Sequence, residues 1–325
     1  MKKSTITKCT IAAALAMSTL AVHAKQLKVL MIGNSFSVCV LREMPDCAKS
    51  AGETLDLASL YIGGCPLERH WDNVEKSGDP DFKPYSFSYS YASVGDEKDA
   101  PVAKLGKKTN IPQALVADKW DIVTIQQASP KSHDYDTYQP FADKLIAKIR
   151  ELAPQAEIVI QETWSYSPYS KRFANGEMTS ETMHAAVKEA YRKLADKYGF
   201  RTIPTGDAVQ LYRQKLPVNY GKLLTKAEID ALRPPASVDF HGDVVGATSW
   251  RKEKKDTTKL HFDANHLNPQ GHYLQACTWL AALFGTDVTK LAYAPSTLPP
   301  EKAKLMRACA AEAVAAARKR ESERK

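Results

Sequence analysis

The first residue with catalytic potential is Ser35, which lies in the segment 29–36 (VLMIGNSF). Its apolar run is typical of a buried parallel strand, and Gly33 at the end of that run allows a sharp turn into a helix. The hydroxyl of Ser35 would then lie at the carboxyl edge of the sheet, beside the free N–H groups of a helix N-terminus. This placement suits a nucleophile, although Asn34 and Ser35 are also common turn and N-cap residue types.

A second stretch with catalytic potential is 261–274 (HFDANHLNPQGHYL), in which Asp263 and His266 precede a helix that Pro269 begins. A three-residue spacing in a loop lets the carboxylate fold back onto the imidazole, fix its tautomer and stabilise the imidazolium. His266 could then take a proton from a hydroxyl. Two alternatives use the same residues: His261, Asp263 and His266 as metal ligands, or Asp263 as a helix cap. Because no other cluster completes a metal site, no metal is predicted.

Two further segments offer hydrogen-bond donors at predicted strand ends. Gly63 and Gly64 allow the backbone to approach a ligand closely, and a backbone N–H there could point at the oxygen of an acyl group on Ser35. Gln126 and Gln127 end a central strand, where buried amides need hydrogen-bond partners. The glycines are either part of an oxyanion hole or a plain turn, and the glutamines either contribute a donor or form an amide network between loops.

Charged and aromatic side chains are predicted at the mouth of this site. Glu68 and Trp71 follow the glycine loop, and Trp164 begins an aromatic loop at another strand end. We predict substrate contacts for these three residues, although aromatic faces more often pack against the protein than against a sugar ring. The segment 84–91 (PYSFSYSY) alternates aromatic residues with serine, which predicts a strand in an inserted hairpin or flap.

The rest of the chain alternates predicted strands and helices, the pattern of a parallel sheet covered on both faces. A single domain over 25–325 is predicted, with insertions at about 67–108 and 216–260, the second irregular apart from a short helix at 226–232. The first predicted strand begins near Val29, and the other four cover 55–62, 120–127, 157–163 and 200–204.

Residues 1–24 have the features of a secretory signal peptide: a basic head, a short apolar stretch and small residues before a cleavage position. Export to the periplasm or the extracellular space is therefore predicted. Removal of this segment, which contains three lysines and no acid, lowers the formal net charge from +8 to +5.

The remaining charges are interspersed, so nucleic-acid binding is not predicted. Five cysteines remain without paired C-x-x-C spacing, which disfavours zinc and leaves room for one or two disulfides.

Taken together, the GNSFS block at Ser35, the glycine loop and the Asp263-x-x-His266 block resemble the SGNH, or GDSL-like, hydrolase superfamily, and more narrowly a secreted bacterial branch of it. This resemblance implies a three-layer α/β/α flavodoxin-like fold with a five-stranded parallel sheet in the order 2-1-3-4-5. It also implies that Ser35 is the nucleophile, His266 the general base and Asp263 its orienting acid.

By the same resemblance, Ser35 and Gly64 would donate backbone N–H groups to an oxyanion hole. The third donor in the superfamily is the Asn of a Gly-x-Asn-Asp motif, which this sequence lacks, so Gln127 is the candidate by position, with Gln126 the alternative. Asn34 stands where the superfamily commonly has Asp.

The sequence therefore predicts an exported serine esterase that removes acetyl or other short acyl groups from carbohydrates and needs no cofactor. One alternative is a non-catalytic glycan-binding protein on the same fold, and another is a lipase or thioesterase. The expected partner is a small-molecule or glycan ester, without stable membrane insertion. The oligomeric state does not follow from the sequence.

Overall fold

In a computed structural model, the structure describes residues 26–90, 105–216, 223–253 and 258–324. The predicted signal peptide at 1–24 lies outside the described residues, as do parts of both predicted insertions.

The main sheet has seven strands in the order β4-β3-β2-β1-β5-β6-β7. The strands are β1 (Gln26–Gly33), β2 (Thr54–Tyr61), β3 (Tyr85–Ser90), β4 (Lys108–Thr109), β5 (Ile122–Ile125), β6 (Glu157–Gln161) and β7 (Arg201–Ile203). Five of them, in the order β2-β1-β5-β6-β7, are parallel. These five reproduce the predicted order 2-1-3-4-5.

The prediction of a five-stranded sheet was wrong because the aromatic segment joins the sheet. β3 pairs antiparallel with β2, and the two-residue β4 pairs with β3. Tyr85 is fully buried, and its hydroxyl contacts His70 and Asn73. The strand therefore extends the sheet and satisfies the backbone of an edge that would otherwise be open.

The described residues also form ten α-helices. They are α1 (Ser35–Val38), α2 (Met44–Ser50), α3 (Leu67–Glu75), α4 (Ile111–Val116), α5 (Phe141–Leu152), α6 (Ser180–Tyr198), α7 (Thr205–Lys215), α8 (Lys226–Asp230), α9 (Pro269–Phe284) and α10 (Pro300–Glu323). Helix α9 packs against α2, α7 and α10, whereas α3, α4 and α5 pack against one another. Four consecutive residues of β1, Val29 to Ile32, are buried. Because successive strand residues point to opposite faces, both faces of the sheet are covered.

A separate antiparallel hairpin, β8 (Val245–Lys252) and β9 (Thr258–Leu267), precedes α9. The sequence indicated an irregular segment and a loop here, and this prediction was wrong because the two strands pair with each other. Their register is interrupted: Val245 pairs with Leu267 but Ala247 with Asp263, so residues 264–266 face only Gly246. Gly246 has a φ of 105°, and a Cβ there would lie 2.1 Å from the Phe240 ring.

The five cysteines within the described residues, Cys39, Cys47, Cys65, Cys277 and Cys309, are free thiols. Within that same part of the chain, no helix is long and apolar enough to cross a membrane.

Candidate active site

Ser35 lies directly after β1, at the start of the one-turn helix α1. Its side chain is partly exposed, while Asn34 and Phe36 on either side are buried. As the first residue of the helix, Ser35 has a backbone N–H with no acceptor inside the helix. The local structure therefore presents both a hydroxyl and a free N–H at the carboxyl edge of the sheet.

A continuous chain of hydrogen bonds joins Ser35 to the hairpin. Ser35 Oγ lies 2.8 Å from His266 Nε2, and His266 Nδ1 lies 2.7 Å from Asp263 Oδ2. In a regular strand, residues three apart point to opposite faces, so the bulge at 264–266 is what brings Asp263 and His266 together. The structure thus assembles the three residues predicted as a triad.

The Asp263 carboxylate is held by three N–H groups. Its Oδ2 accepts from the His266 ring, and its Oδ1 accepts from the backbone N–H groups of Asn265 at 2.8 Å and His266 at 3.1 Å. Partial burial opposes ionisation, but these hydrogen bonds outweigh it and hold the pKa of Asp263 well below its usual range. The ionised carboxylate therefore fixes the His266 ring with Nδ1 protonated and Nε2 free to accept from Ser35.

Aromatic packing supports the other side of the imidazole. The Phe36 ring lies 5.1 Å from the His266 ring and stacks on Trp164 at 4.2 Å. Trp164 is fully buried, and its Nε1 donates to the carbonyl of Asn265 at 3.0 Å. The predicted substrate contact of Trp164 was therefore wrong, because a buried ring cannot meet a substrate. Its contacts instead fix Phe36 and the bulge at 264–266.

Asn34 ties the serine turn to two neighbouring strand ends. Its Oδ1 accepts from the Phe36 N–H at 3.0 Å and from Gln126 Nε2 at 2.7 Å, and its Nδ2 donates to the Cys65 carbonyl at 3.1 Å. The amide uses both a donor and an acceptor here, which a carboxylate could not do. This role was not predicted from the sequence, although an asparagine at the N-cap was a visible signal.

Two glutamines hold the carbonyl of Phe36, immediately after the serine. Gln161 at the end of β6 and Gln275 on α9 donate to this oxygen at 2.8 and 3.0 Å. Gln275 in turn accepts from the thiol of Cys39 at 2.9 Å, and burial raises the pKa of Cys39 to about 12. These two hydrogen bonds to the Phe36 carbonyl were not predicted from the sequence, where the signal was a polar residue within the apolar run of α9.

The glycine loop lies next to this network. Gly64 is exposed, has a φ of 59° and is followed by Cys65, whose carbonyl Asn34 holds. No acceptor for the Gly64 N–H is found among the described residues. The geometry is compatible with the predicted oxyanion hole, and the donor roles of Ser35 and Gly64 stay predictions.

Gln127 is not available as an oxyanion donor, so this prediction was wrong. Its side chain is fully buried; Oε1 accepts from the N–H groups of Leu67 and Ala128, and Nε2 donates to Thr137. The alternative, Gln126, is also buried, and its Nε2 donates to Asn34. Both amides form the network between loops, because a buried strand end leaves amides without water as a partner.

The other two predicted substrate contacts lie on α3. Glu68 is partly exposed and forms an ion pair with Lys131 at 2.8 Å. Trp71 donates from Nε1 to Glu75 at 2.6 Å, and Lys144 lies 5.3 Å above its ring. Neither side chain contacts Ser35, Asp263 or His266 directly, and their substrate contacts remain predictions.

The metal alternative finds no support in the arrangement of side chains. His261 is exposed, whereas Asp263 and His266 bond to each other. Across the described part of the chain, no group of three or more His, Cys, Asp or Glu side chains is arranged to hold a metal ion.

Comparison with known proteins places the chain in a family. The model of the domain of unknown function DUF4886 matches residues 28–219, a segment that includes Ser35. The crystal structure of a DUF4886 family protein from Bacteroides uniformis is 28% identical, with a TM-score of 0.67, and the match covers 89% of this chain and 95% of that one.

More distant solved structures are also similar. A proposed SGNH hydrolase from Slackia heliotrinireducens is 18% identical over 78% of this chain and 96% of its own, with a TM-score of 0.41. A proposed GDSL-like lipase from Parabacteroides merdae is 12% identical over 79% and 95%, with a TM-score of 0.42. None of the curated proteins is significantly similar to the chain. Because the family model covers more than half of its length, the chain belongs to the DUF4886 family.

Proposed function

We propose that this protein is an exported serine esterase of the SGNH type that removes acetyl or other short acyl groups from carbohydrates. The observation that carries this proposal is the continuous chain from Ser35 Oγ to His266 at 2.8 Å and from His266 to Asp263 at 2.7 Å. A glycan-binding protein has no need of a serine, an imidazole and a carboxylate in this order. The short acyl group, the carbohydrate and export are supported by the sequence resemblance and by the signal-like segment 1–24.

In the first step, Ser35 Oγ attacks the ester carbonyl while its proton passes to His266 Nε2. The resulting imidazolium is stabilised by Asp263, whose carboxylate stays ionised because three N–H groups donate to it. The oxyanion of the tetrahedral intermediate is held by the backbone N–H groups of Ser35 and Gly64. His266 then returns the proton to the leaving alcohol, and an acyl-serine remains.

In the second step, His266 removes a proton from a water molecule, which attacks the acyl-serine. A second tetrahedral intermediate forms in the same oxyanion hole and collapses to release a carboxylic acid and Ser35. The aromatic packing of Phe36 keeps the imidazole in place through both steps.

The test is hydrolysis of p-nitrophenyl acetate, butyrate and octanoate, followed by acetylated glycans. Ser35→Ala is expected to lower kcat by about 10⁴-fold or more, with an unchanged circular dichroism spectrum. Ser322→Ala, at an exposed position on α10, serves as the matched control and should retain full activity. Equal rates for the wild type and Ser35→Ala would refute the proposal, and a rate that rises with chain length would favour a lipase.

A further inference from the structure

A basic pair, Arg172 and His133, lies on two loops near the bulge at 264–266. Arg172 is in a short 3-10 helix (Lys171–Phe173) after β6, and His133 is in the loop after β5. Arg172 Nη2 lies 2.7 Å from His133 Nε2. Both side chains are partly buried, so they are ordered by the protein but still reached by solvent.

The pair carries a charge that the described residues do not neutralise. Within them, no carboxylate lies within 4 Å of the Arg172 guanidinium. Its Nε is buried and has no hydrogen-bond partner in that same set. Nearby Lys131, by contrast, is paired with Glu68. A partly buried guanidinium is costly to leave unpaired, and a bound anion would offset that cost.

His133 does not neutralise the positive charge of Arg172, because its imidazole is uncharged at pH 7. Burial lowers its pKa, the Arg172 charge lowers it further, and Asp134 opposes the shift without reversing it. A neutral ring that accepts from Arg172 at Nε2 carries its proton on Nδ1. The pair therefore has a net charge of about +1 and N–H groups left over for a ligand.

The pair lies close to the triad through a short series of contacts. Ser170, two residues before Arg172, donates to Asn265 at 3.0 Å, and Asn265 directly precedes His266. Tyr166 on the same loop donates to Ser129 at 2.8 Å, four residues before His133. Burial raises the pKa of Tyr166, while the Arg172 charge lowers it and the Asp263 charge raises it, so both charges lie near the Tyr166 hydroxyl. These contacts place the pair in the same group of loops as the triad.

We propose that Arg172, oriented by His133, binds a negatively charged group of the substrate, so that the preferred substrates are acyl esters of acidic molecules. The inference rests on the proposed esterase function. A carboxylate and a sulfate or phosphate group share the chemistry that a guanidinium recognises, namely paired oxygen acceptors.

The test compares three aryl acetates that differ in the para substituent: methyl 4-acetoxybenzoate, 4-acetoxybenzoate and 4-acetoxybenzenesulfonate. The measured quantity is the ratio of kcat/KM for each anionic ester to that for the neutral ester, because intrinsic reactivity cancels when this ratio is compared between variants. Arg172→Ala should lower the ratio about tenfold to a hundredfold, mainly through KM, while the neutral ester changes less than twofold. The anionic ester whose kcat/KM ratio falls more in Arg172→Ala carries the group that Arg172 favours.

Two controls separate recognition from structure. Lys171→Ala removes the same charge from an exposed neighbour and should leave the ratio unchanged. Arg172→Lys should retain part of the preference as a point charge. An unchanged ratio in Arg172→Ala, or an equal loss with all three esters, would overturn the proposal.

A binding measurement keeps the test independent of turnover. Calorimetric titration of Ser35→Ala with 4-acetoxybenzoate and with 4-acetoxybenzenesulfonate should show binding that weakens about tenfold or more in Ser35→Ala/Arg172→Ala. If the wild type hydrolyses none of the three esters, the esterase proposal fails, and this titration still decides the anion site. Absence of binding by both anionic probes would overturn the anion site alone.

Discussion

Replacing Asn34 tests how the serine turn is held. Asn34→Ala removes the acceptor of the Phe36 N–H and of Gln126 Nε2, and the donor to the Cys65 carbonyl. All three partner residues are buried, and a buried polar group without a partner costs about 1–3 kcal/mol. Because neighbouring losses are not additive, we expect the free energy of unfolding to fall by about 3–5 kcal/mol. For a protein of about 300 residues, Tm should drop by about 5–8 °C.

Asn34→Asp gives a sharper form of the same prediction. The new carboxylate keeps the two bonds that Asn34 Oδ1 accepts but sets a second acceptor oxygen against the Cys65 carbonyl. In the protonated form, the new carboxyl group can donate to that carbonyl as the amide does. The native state therefore favours a proton that the unfolded chain releases above about pH 4. The loss of stability relative to the wild type should be small near pH 4 and grow as the pH rises.

The assay is thermal unfolding of the wild type, Asn34→Ala and Asn34→Asp between pH 4 and 8. Activity on p-nitrophenyl acetate should fall as well, because Asn34 holds Cys65 next to Gly64. A stability of Asn34→Ala within 1 kcal/mol of the wild type would show that these hydrogen bonds do not hold the serine turn. So would a deficit of Asn34→Asp that is the same at every pH.

Three further predictions concern the residues around Ser35. Asp263→Asn should lower kcat on p-nitrophenyl acetate by about 10⁴-fold with the fold retained, because the imidazole loses its tautomer control; a loss below tenfold would contradict this. Folding lowers the pKa of Asp263, so its ionised form stabilises the protein above about pH 4, and this contribution is lost as the pH falls further. The free energy of unfolding of Asp263→Asn should therefore decrease less than that of the wild type when the pH is lowered below about 4. Gln127→Ala should lower Tm but change kcat less than about tenfold, whereas loss of an oxyanion donor costs about 100- to 1,000-fold.

The parallel core of the fold could be predicted from local patterns. The apolar run of β1 and the glycine at its end placed Ser35 at the carboxyl edge, and the alternation of strands and helices predicted a parallel sheet. The order of its five parallel strands followed from the resemblance to the SGNH superfamily and not from the local pattern. The antiparallel addition was missed because a period of two in residues 85–90 does not tell which edge the strand will join. Strand β8 was missed because its residues lack a regular pattern and depend on pairing with β9.

The triad residues could be predicted because their types are distinctive. The residues that hold the triad in place could not be predicted. Trp164 and Gln127 looked accessible at strand ends, and only the fold shows that both are buried. The pairing of Arg172 with His133 joins two loops far apart in the sequence, and no local pattern indicates which loops meet.

The most direct test of the central claim is covalent labelling with a fluorophosphonate, which reacts with an activated serine. The proposed mechanism predicts stoichiometric labelling of the peptide that contains Ser35, no labelling of Ser35→Ala, and much slower labelling of His266→Ala. Labelling of another residue while Ser35 stays unmodified, or no labelling of the wild type, would contradict it.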